Sequence, residues 1–336
     1  MQINKSLYVA RFKKSESFQA MPNNSSRFFC IVSGKYPGLA REEISALFKT
    51  YGSSKVEYCG GNIVIAEGNC DIEKIAQRVA YTKCIAREIQ NEDDYLILRG
   101  KTFSCFGTND AKELERVVED IKKKTGAKVF LKNPDYQIAI ISKSPFFTNL
   151  VGIRIPQPTI DWTHRLALER KTLHPSMLEP RLCRAMVNLA KVKEGDTVVD
   201  PFCGTGGILI EAQEFKIRTL GYDILKNMCR GAKQNQLENI AVCNSSHMPL
   251  KPFTADAIIT DIPYGRSTKT IKGQTRQQMF KDFIDNARTV VKRMVIMCQR
   301  EDEDIIVKSK LNMKIDIYHL YRHKSLTRSI ATMTAW

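Results

Sequence analysis

Long apolar runs are missing from this chain of 336 residues. None approaches the ~18 consecutive residues of a membrane-spanning helix, and Met1-Gln-Ile-Asn-Lys-Ser-Leu7 has no signal-peptide core, so a cytoplasmic protein is expected. The ten cysteines include no C-x-x-C pair, and the five histidines (His164, His174, His247, His319, His323) form no ligand spacing with them. A metal site is therefore not expected, and the cysteines read as reduced, small core residues, with the reservation that intracellular disulfides occur in hyperthermophiles. Internal repeats and low-complexity segments are absent as well. Acid is the scarce charge: 36 Asp and Glu stand against 52 Lys and Arg, a formal net charge of +16. The excess is shared by both halves of the chain. A polyanionic partner accounts for it, and so would a basic surface that serves only solubility. The length and a hydrophobic content of 43% allow two domains with proper cores.

The stretch Thr197-Val-Val-Asp-Pro-Phe-Cys-Gly-Thr-Gly-Gly-Ile-Leu-Ile-Glu-Ala212 organises the rest. β-Branched residues lead into Asp200, a glycine-rich turn follows, and an apolar helical run begins near Gly207, which is the opening of a nucleotide-binding α/β unit. Gly204 and Gly206 let backbone approach a ligand closely, and the helix start aims free N–H groups at a carboxylate or phosphate. Taken alone, the turn also fits a purely structural role. Its neighbour sharpens the reading: Arg218-Thr-Leu-Gly-Tyr-Asp223, about 20 residues on, reads as a second strand ending in an acid placed to reach ribose hydroxyls. Leu209 stands where a third glycine would pack helix on strand, so the spacing favours a nucleoside over a dinucleotide.

A second informative stretch, Asp256-Ala-Ile-Ile-Thr-Asp-Ile-Pro-Tyr-Gly265, is an apolar strand that stops abruptly. Asp200-Pro-Phe-Cys-Gly-Thr-Gly206 resembles motif I of S-adenosylmethionine-dependent methyltransferases, and Asp261-Ile-Pro-Tyr264 resembles the Asp/Asn-Pro-Pro-Tyr motif IV of those that methylate exocyclic amines. Lys171-Thr-Leu-His-Pro-Ser-Met-Leu-Glu-Pro180 is similar to motif X of the circularly arranged amino-methyltransferases, and Leu131-Lys-Asn-Pro-Asp135 resembles the THUMP module of RNA-modifying enzymes. With Asp at 261 in an Asp-x-Pro-Tyr-Gly pattern, the chain is similar over nearly its whole length to THUMP-bearing tRNA guanine-N2 methyltransferases that act on position ten.

That resemblance implies S-adenosylmethionine as cofactor, held by His174, Ser176, Leu178, Asp200, Phe202, Gly204, Thr205, Gly206, Asp223, Ile224, Asn244 and Asp261. His174 is equally readable as a structural histidine. Asn244 departs from the Asp usual in the family; its amide carbonyl still accepts from an adenine amine, without charge. The resemblance also implies tRNA as partner, gripped by the THUMP module, with the target guanine swung out of a paired stem at a cost of about a few kcal/mol.

Along the chain, strands at Phe28–Ser33, Lys55–Tyr58 and Asn62–Ala66 and helices at Leu39–Phe48 and Asp71 to about Val79 give a β-α-β-β-α order, a ferredoxin-like unit over residues 1–88. Residues 89–155 form the THUMP-like α+β unit, with an amphipathic helix over Ala111–Lys124; Lys122-Lys-Lys124 also reads simply as a solvated helix end. Residues 156–170 read as linker, and 171–336 as a Rossmann-like methyltransferase domain. There Ser176 is the expected N-cap of a helix from Arg181 to about Lys191. Alternating strands and helices closed by a hairpin predict a seven-stranded, mostly parallel sheet with helices on both faces.

An exocyclic base amine is a poor nucleophile because its lone pair is delocalised into the ring. It must be held in line with the sulfonium methyl while charge develops on nitrogen. Asp261 and the Ile262 carbonyl can accept its two N–H groups, and Asp261 can take the proton once transfer has begun. Pro263 fixes the turn and Tyr264 stacks on the base. Ile262 in place of the family's first proline alters stiffness, not the carbonyl. Arg266, Lys269 and Lys272, in the basic loop that follows, are placed for substrate phosphates. Bland readings exist for these residues too: Asp261 as a turn cap, Tyr264 as core. A THUMP-bearing methyltransferase that acts on another tRNA or rRNA guanine, such as position six, is an alternative; a DNA amino-methyltransferase shares both motifs, and a non-catalytic tRNA-binding protein would need a dead site. The number of methyl groups depends on pocket volume, and a small activating subunit leaves no mark in a single sequence.

Overall fold

The computed structural model describes residues 26–163, 171, 177–263, 275–309, 312–323 and 326–335. They gather into two compact units, one of Met1–Val32, Gly52–Ala76 and Lys83–Gln157, the other of Ser33–Tyr51, Gln77–Thr82 and Pro158–Trp336.

The first unit is built on one eight-stranded sheet. Its strands are β1 (Ser26–Val32), β2 (Gly52–Tyr58), β3 (Ile63–Cys70), β4 (Thr82–Glu88), β5 (Thr102–Phe106), β6 (Lys128–Val129), β7 (Tyr136–Ile141) and β8 (Leu150–Arg154), in the order β2-β3-β1-β4-β8-β7-β5-β6. The expected strand–helix–strand–strand–helix series is present, with β3 antiparallel to both β1 and β2. The two small α/β stretches seen in the sequence share this sheet, because β4 pairs antiparallel with β8 from Ala86↔Arg154 to Glu88↔Gly152. Its amphipathic helix, Ala111–Thr125, starts where Asp110 accepts from the Lys112 and Glu113 N–H groups and stops at Gly126, whose φ of 68° is left-handed. That helix buries Val117 and Ile121 in a core with Leu98, Phe103, Ile138, Ile140 and Ile153.

The second unit contains a seven-stranded sheet: β9 (Thr197–Asp200), β10 (Arg218–Asp223), β11 (Ile240–Val242), β12 (Ala257–Asp261), β13 (Arg293–Gln299), β14 (Met313–His323) and β15 (Leu326–Ala335), ordered β11-β10-β9-β12-β13-β15-β14. The first five in that order run parallel, and β15 is antiparallel to both β13 and β14. This is the doubly wound, Rossmann-like arrangement expected from the alternation of strands and helices, closed by the predicted hairpin. In such sheets ligands lie beyond the carboxyl ends of the strands, where strand order reverses, which here is beside β9.

Helix Pro37–Tyr51, which follows β1, belongs to this second unit and is held there by a buried polar knot. Glu43, fully buried, accepts from the Ala80 and Tyr81 N–H groups at 2.6 and 2.7 Å and from Asn188 Nδ2 at 2.7 Å. Arg78 donates to Asn188 Oδ1, to the Val192 carbonyl and to the Tyr51 hydroxyl. A buried charge is tolerated when hydrogen bonds compensate it: Glu43 has three, and Arg78 makes three through Nε and Nη1 while its buried Nη2 has no partner among the described residues. Burial raises the Glu43 carboxyl above its ordinary value, against the pull of the Tyr81, Ala80 and Asn188 bonds. Arg184 and Glu211 form a second buried pair at 2.9 Å between helices Pro180–Leu189 and Gly207–Gln213.

Helix Pro180–Leu189 begins one residue before the expected start, with Glu179 at the N-cap making no side-chain cap and Pro180 in the first turn. The proline ring supplies the helical φ at a position whose N–H has no helical partner, so Ser176 is not the cap. Ser176 itself lies outside the described residues. No two of the ten cysteines are joined in a disulfide.

Candidate active site

At the end of β9 the chain turns under its own glycines. Asp200, 2% exposed, accepts from the Phe202 N–H at 3.1 Å and from the Thr260 hydroxyl at 2.6 Å. The second bond ties the glycine turn to β12, one residue before Asp261. Burial pushes the Asp200 carboxyl up to about 7; the Thr260 and Phe202 bonds oppose it, and the nearby charges of Asp223 and Asp261 reinforce it. Near neutral pH this acid therefore carries part of a proton, and it shapes the turn from beneath.

The two glycines do different jobs. Gly206, with φ +93°, caps helix Gly207–Gln213, and an added Cβ would stand 2.0 Å from Leu237 Cδ1. Gly204, with φ +53°, has no atom within 4 Å of an added Cβ. Only Gly204 therefore leaves its side-chain direction open to a ligand. Its N–H donates to Asp223 Oδ2 at 2.9 Å, and the Leu225 N–H donates to Asp223 Oδ1 at 2.8 Å. These two backbone bonds orient the Asp223 carboxylate. Next to it, Ile224 is 44% exposed, an apolar surface of the kind an adenine ring covers. Asn244 accepts from the Ser246 N–H at 3.1 Å and begins a single 3-10 turn beyond β11.

Phe202 packs edge-on against Phe283 at 5.2 Å between ring centroids, and Leu178 is buried. Thr205 Oγ1 and Ser246 Oγ are buried hydroxyls with no hydrogen-bond partner among the described residues. The set fits the nucleoside end of S-adenosylmethionine: an oriented acid for hydroxyls, an exposed aliphatic side chain, an open glycine and polar groups still short of partners.

Beyond Thr260 the chain presents Asp261 and then Ile262, whose side chain is 1% exposed and whose N–H donates to the Met297 carbonyl at 2.8 Å. With its side chain in the core, Ile262 can meet a substrate only through its backbone. Asp261 is gripped by a residue that the sequence did not single out. Arg328, on β15, reaches past β13 and donates Nη1 to Asp261 Oδ2 at 3.1 Å and Nη2 to Oδ1, with the two side chains 3% and 15% exposed. Thr260 is likewise not marked in the sequence, because buried hydroxyls are common and nothing local distinguishes this one. Pro263 is half-buried, whereas His174, Ser176, Tyr264, Arg266, Lys269 and Lys272 lie outside the described residues. Among the described residues no group of three His, Cys, Asp or Glu is gathered as a metal site, and no helix is long and apolar enough to cross a membrane.

Residues 168–324 match the RMKL-like methyltransferase domain family. The chain is 32% identical over 329 residues to the tRNA (guanine(10)-N2)-dimethyltransferase of Methanothermobacter thermautotrophicus, covering 89% of this chain and 97% of that protein. It is 31% identical over 341 residues to the tRNA (guanine(10)-N2)-dimethyltransferase of Pyrococcus abyssi, covering 92% and 99%. Among solved structures it is similar to TrmN from Thermus thermophilus, with a TM-score of 0.48 and 15% identity over 92% of this chain and all of that one.

Proposed function

The chain belongs to the tRNA (guanine(10)-N2)-dimethyltransferase family, and on that footing we propose that it methylates the exocyclic N2 amine of guanosine 10 in tRNA, twice, with S-adenosylmethionine as donor. The observation that carries this reading is the 2.6 Å bond from Thr260 to Asp200, which brings the end of β12 to the glycine turn. Asp261 is thereby a neighbour of the groups that fit the nucleoside.

The donor supplies an electrophilic sulfonium methyl. Asp223, Ile224 and Gly204 hold its nucleoside part; Asp261 and the Ile262 carbonyl accept the two N–H groups of the guanine amine, turning its lone pair out of conjugation and towards the methyl. As the nitrogen lone pair takes the methyl carbon, the S–C bond would break with its electrons left on sulfur, S-adenosylhomocysteine being the leaving group; the nitrogen becomes positive, and the carboxylate of Asp261 stabilises that charge. The proton then leaves the nitrogen, through Asp261 or directly to water. Tyr264 stacks on the extruded base, and Arg266, Lys269 and Lys272 take phosphates.

We assign tRNA binding to residues 1–88 and the THUMP-like stretch 89–155, joined through 156–170 to the methyltransferase domain 171–336, working in the cytoplasm. The high positive charge supports a polyanionic substrate. The test is digestion and mass analysis of tRNA incubated with the purified chain and donor. N2,N2-dimethylguanosine at position 10 is the expected product. Methyl on another base, or on DNA, overturns the assignment, and turnover that appears only with a second protein identifies a required helper.

A further inference from the structure

The grip on Asp261 spans three strands. Asp261 is level with Met297 in the β12–β13 ladder, and Arg328 is level with Gln299 in the β13–β15 ladder, so the guanidinium reaches across the end of β13 to the carboxylate. Both oxygens are engaged, each by its own Nη, in the paired geometry that fixes the plane of a carboxylate as well as its position. The strand neighbour of the arginine is itself held. The adjoining Ser329, fully buried, donates its hydroxyl to Glu303 Oε1, and His319 Nδ1 lies 3.2 Å from the same oxygen.

Stability is a weak reason for such an arrangement. Taking a guanidinium out of water costs on the order of several kcal/mol, and a buried ion pair can often be exchanged for apolar side chains without loss. What a paired guanidinium gives that an apolar contact does not is one fixed orientation of the acid. Resting on the reading of Asp261 above, we propose that Arg328 is a positioning residue for methyl transfer: it locks the Asp261 carboxylate plane in the orientation that meets the amine N–H. The amine's lone pair is aimed only as well as its N–H groups are, and a displacement of about 1 Å at such a contact costs about 100-fold in rate. Lysine, a single point charge on a flexible stem, cannot substitute for the planar fork.

The experiment uses the full chain, a tRNA transcript and labelled donor, and compares Arg328→Lys, Arg328→Met, Asp261→Asn and the double variant Asp261→Asn/Arg328→Met. Affinities for tRNA and S-adenosylhomocysteine are measured beside single-turnover rates at saturation. Arg328→Lys and Arg328→Met are expected to lose about 100-fold in rate with both affinities within about threefold of the wild type. Because Arg328 acts through Asp261, the double variant is expected to be no slower than Asp261→Asn alone. Wild-type rates in folded Arg328 variants, or a double variant that loses the product of the two single effects, overturn the proposal. If Arg328→Met fails to bind S-adenosylhomocysteine, Arg328→Lys, which keeps the charge, decides alone. A fast Asp261→Asn removes the catalytic reading of Asp261 and this inference with it; a slow Asp261→Asn beside fast Arg328 variants removes this inference only.

Discussion

A Cβ placed on Gly221 would stand 2.7 Å from Leu209 Cδ1, so Leu209 packs onto β10 because that strand carries no side chain at the point of contact. The familiar nucleotide-binding turn puts the small residue on the helix. Here the same clearance is obtained from the strand. Gly221→Ala is accordingly expected to lose about 1–3 kcal/mol in urea unfolding, since Ile240 Cδ1 at 2.4 Å is crowded as well. Combined with Leu209→Ala, the loss should fall short of the sum of the two single changes, because one side chain makes room for the other.

The raised carboxyl of Asp200 makes stability depend on pH. In the unfolded chain the group titrates near the ordinary value of 3.8, and in the folded protein near about 7. The folded state therefore holds the proton more tightly. Its contribution is greatest below about 4, declines as pH rises through the window to about 7, and is flat above it. Asp200→Asn keeps an acceptor for Thr260 and Phe202 but cannot titrate. The difference in unfolding free energy between variant and wild type should shift in favour of the variant from pH 4 to pH 7.5, and a difference independent of pH would refute the assignment.

Removing Glu43 strands three donors at once. Glu43→Ala leaves the Ala80 and Tyr81 N–H groups and the Asn188 amide without their acceptor, and about 3–5 kcal/mol of stability should go with it. Glu43→Gln, which keeps one acceptor oxygen, should lose less. Equilibrium denaturation of both variants checks the order.

Asp261→Ala is expected to abolish turnover, but it also leaves Arg328 buried without its carboxylate and should lower stability by about 3–5 kcal/mol. Asp261→Asn keeps the shape and one acceptor oxygen. It should melt closer to the wild type while still losing turnover, with tRNA binding retained in a gel-shift assay. Loss of tRNA affinity in Asp261→Asn would point to a structural role.

Much of the second unit is readable from local pattern. Short runs ending in Asp200, Asp223 and Asp261, β-branched in the first and last, each followed by a turn and a helix or loop, give the parallel sheet and the end at which its ligands lie. Arg328 is not readable in that way. It sits 67 residues from its partner, inside a strand where residues 328–331 are all buried, and a charged residue in an apolar strand ordinarily counts as its solvent-facing member. The place of helix Pro37–Tyr51 is hidden for a similar reason. Its apolar spacing predicts one buried stripe, yet Glu43 and Ser45 are buried too, because distant segments at 77–82 and 180–189 supply their surroundings.

The Glu43–Asn188 bond joins residues 145 positions apart. On a ribosome adding about 5–20 residues each second, the early helix emerges on the order of ten seconds before the asparagine that completes its setting. An expression fragment beginning at Pro158 would have the opposite difficulty, carrying Asn188 without the carboxylate it serves. Dissection of this protein at the apparent linker therefore cuts through a fold whose first pieces are made long before its last, and an unstable fragment would report that cut rather than any weakness of the catalytic half.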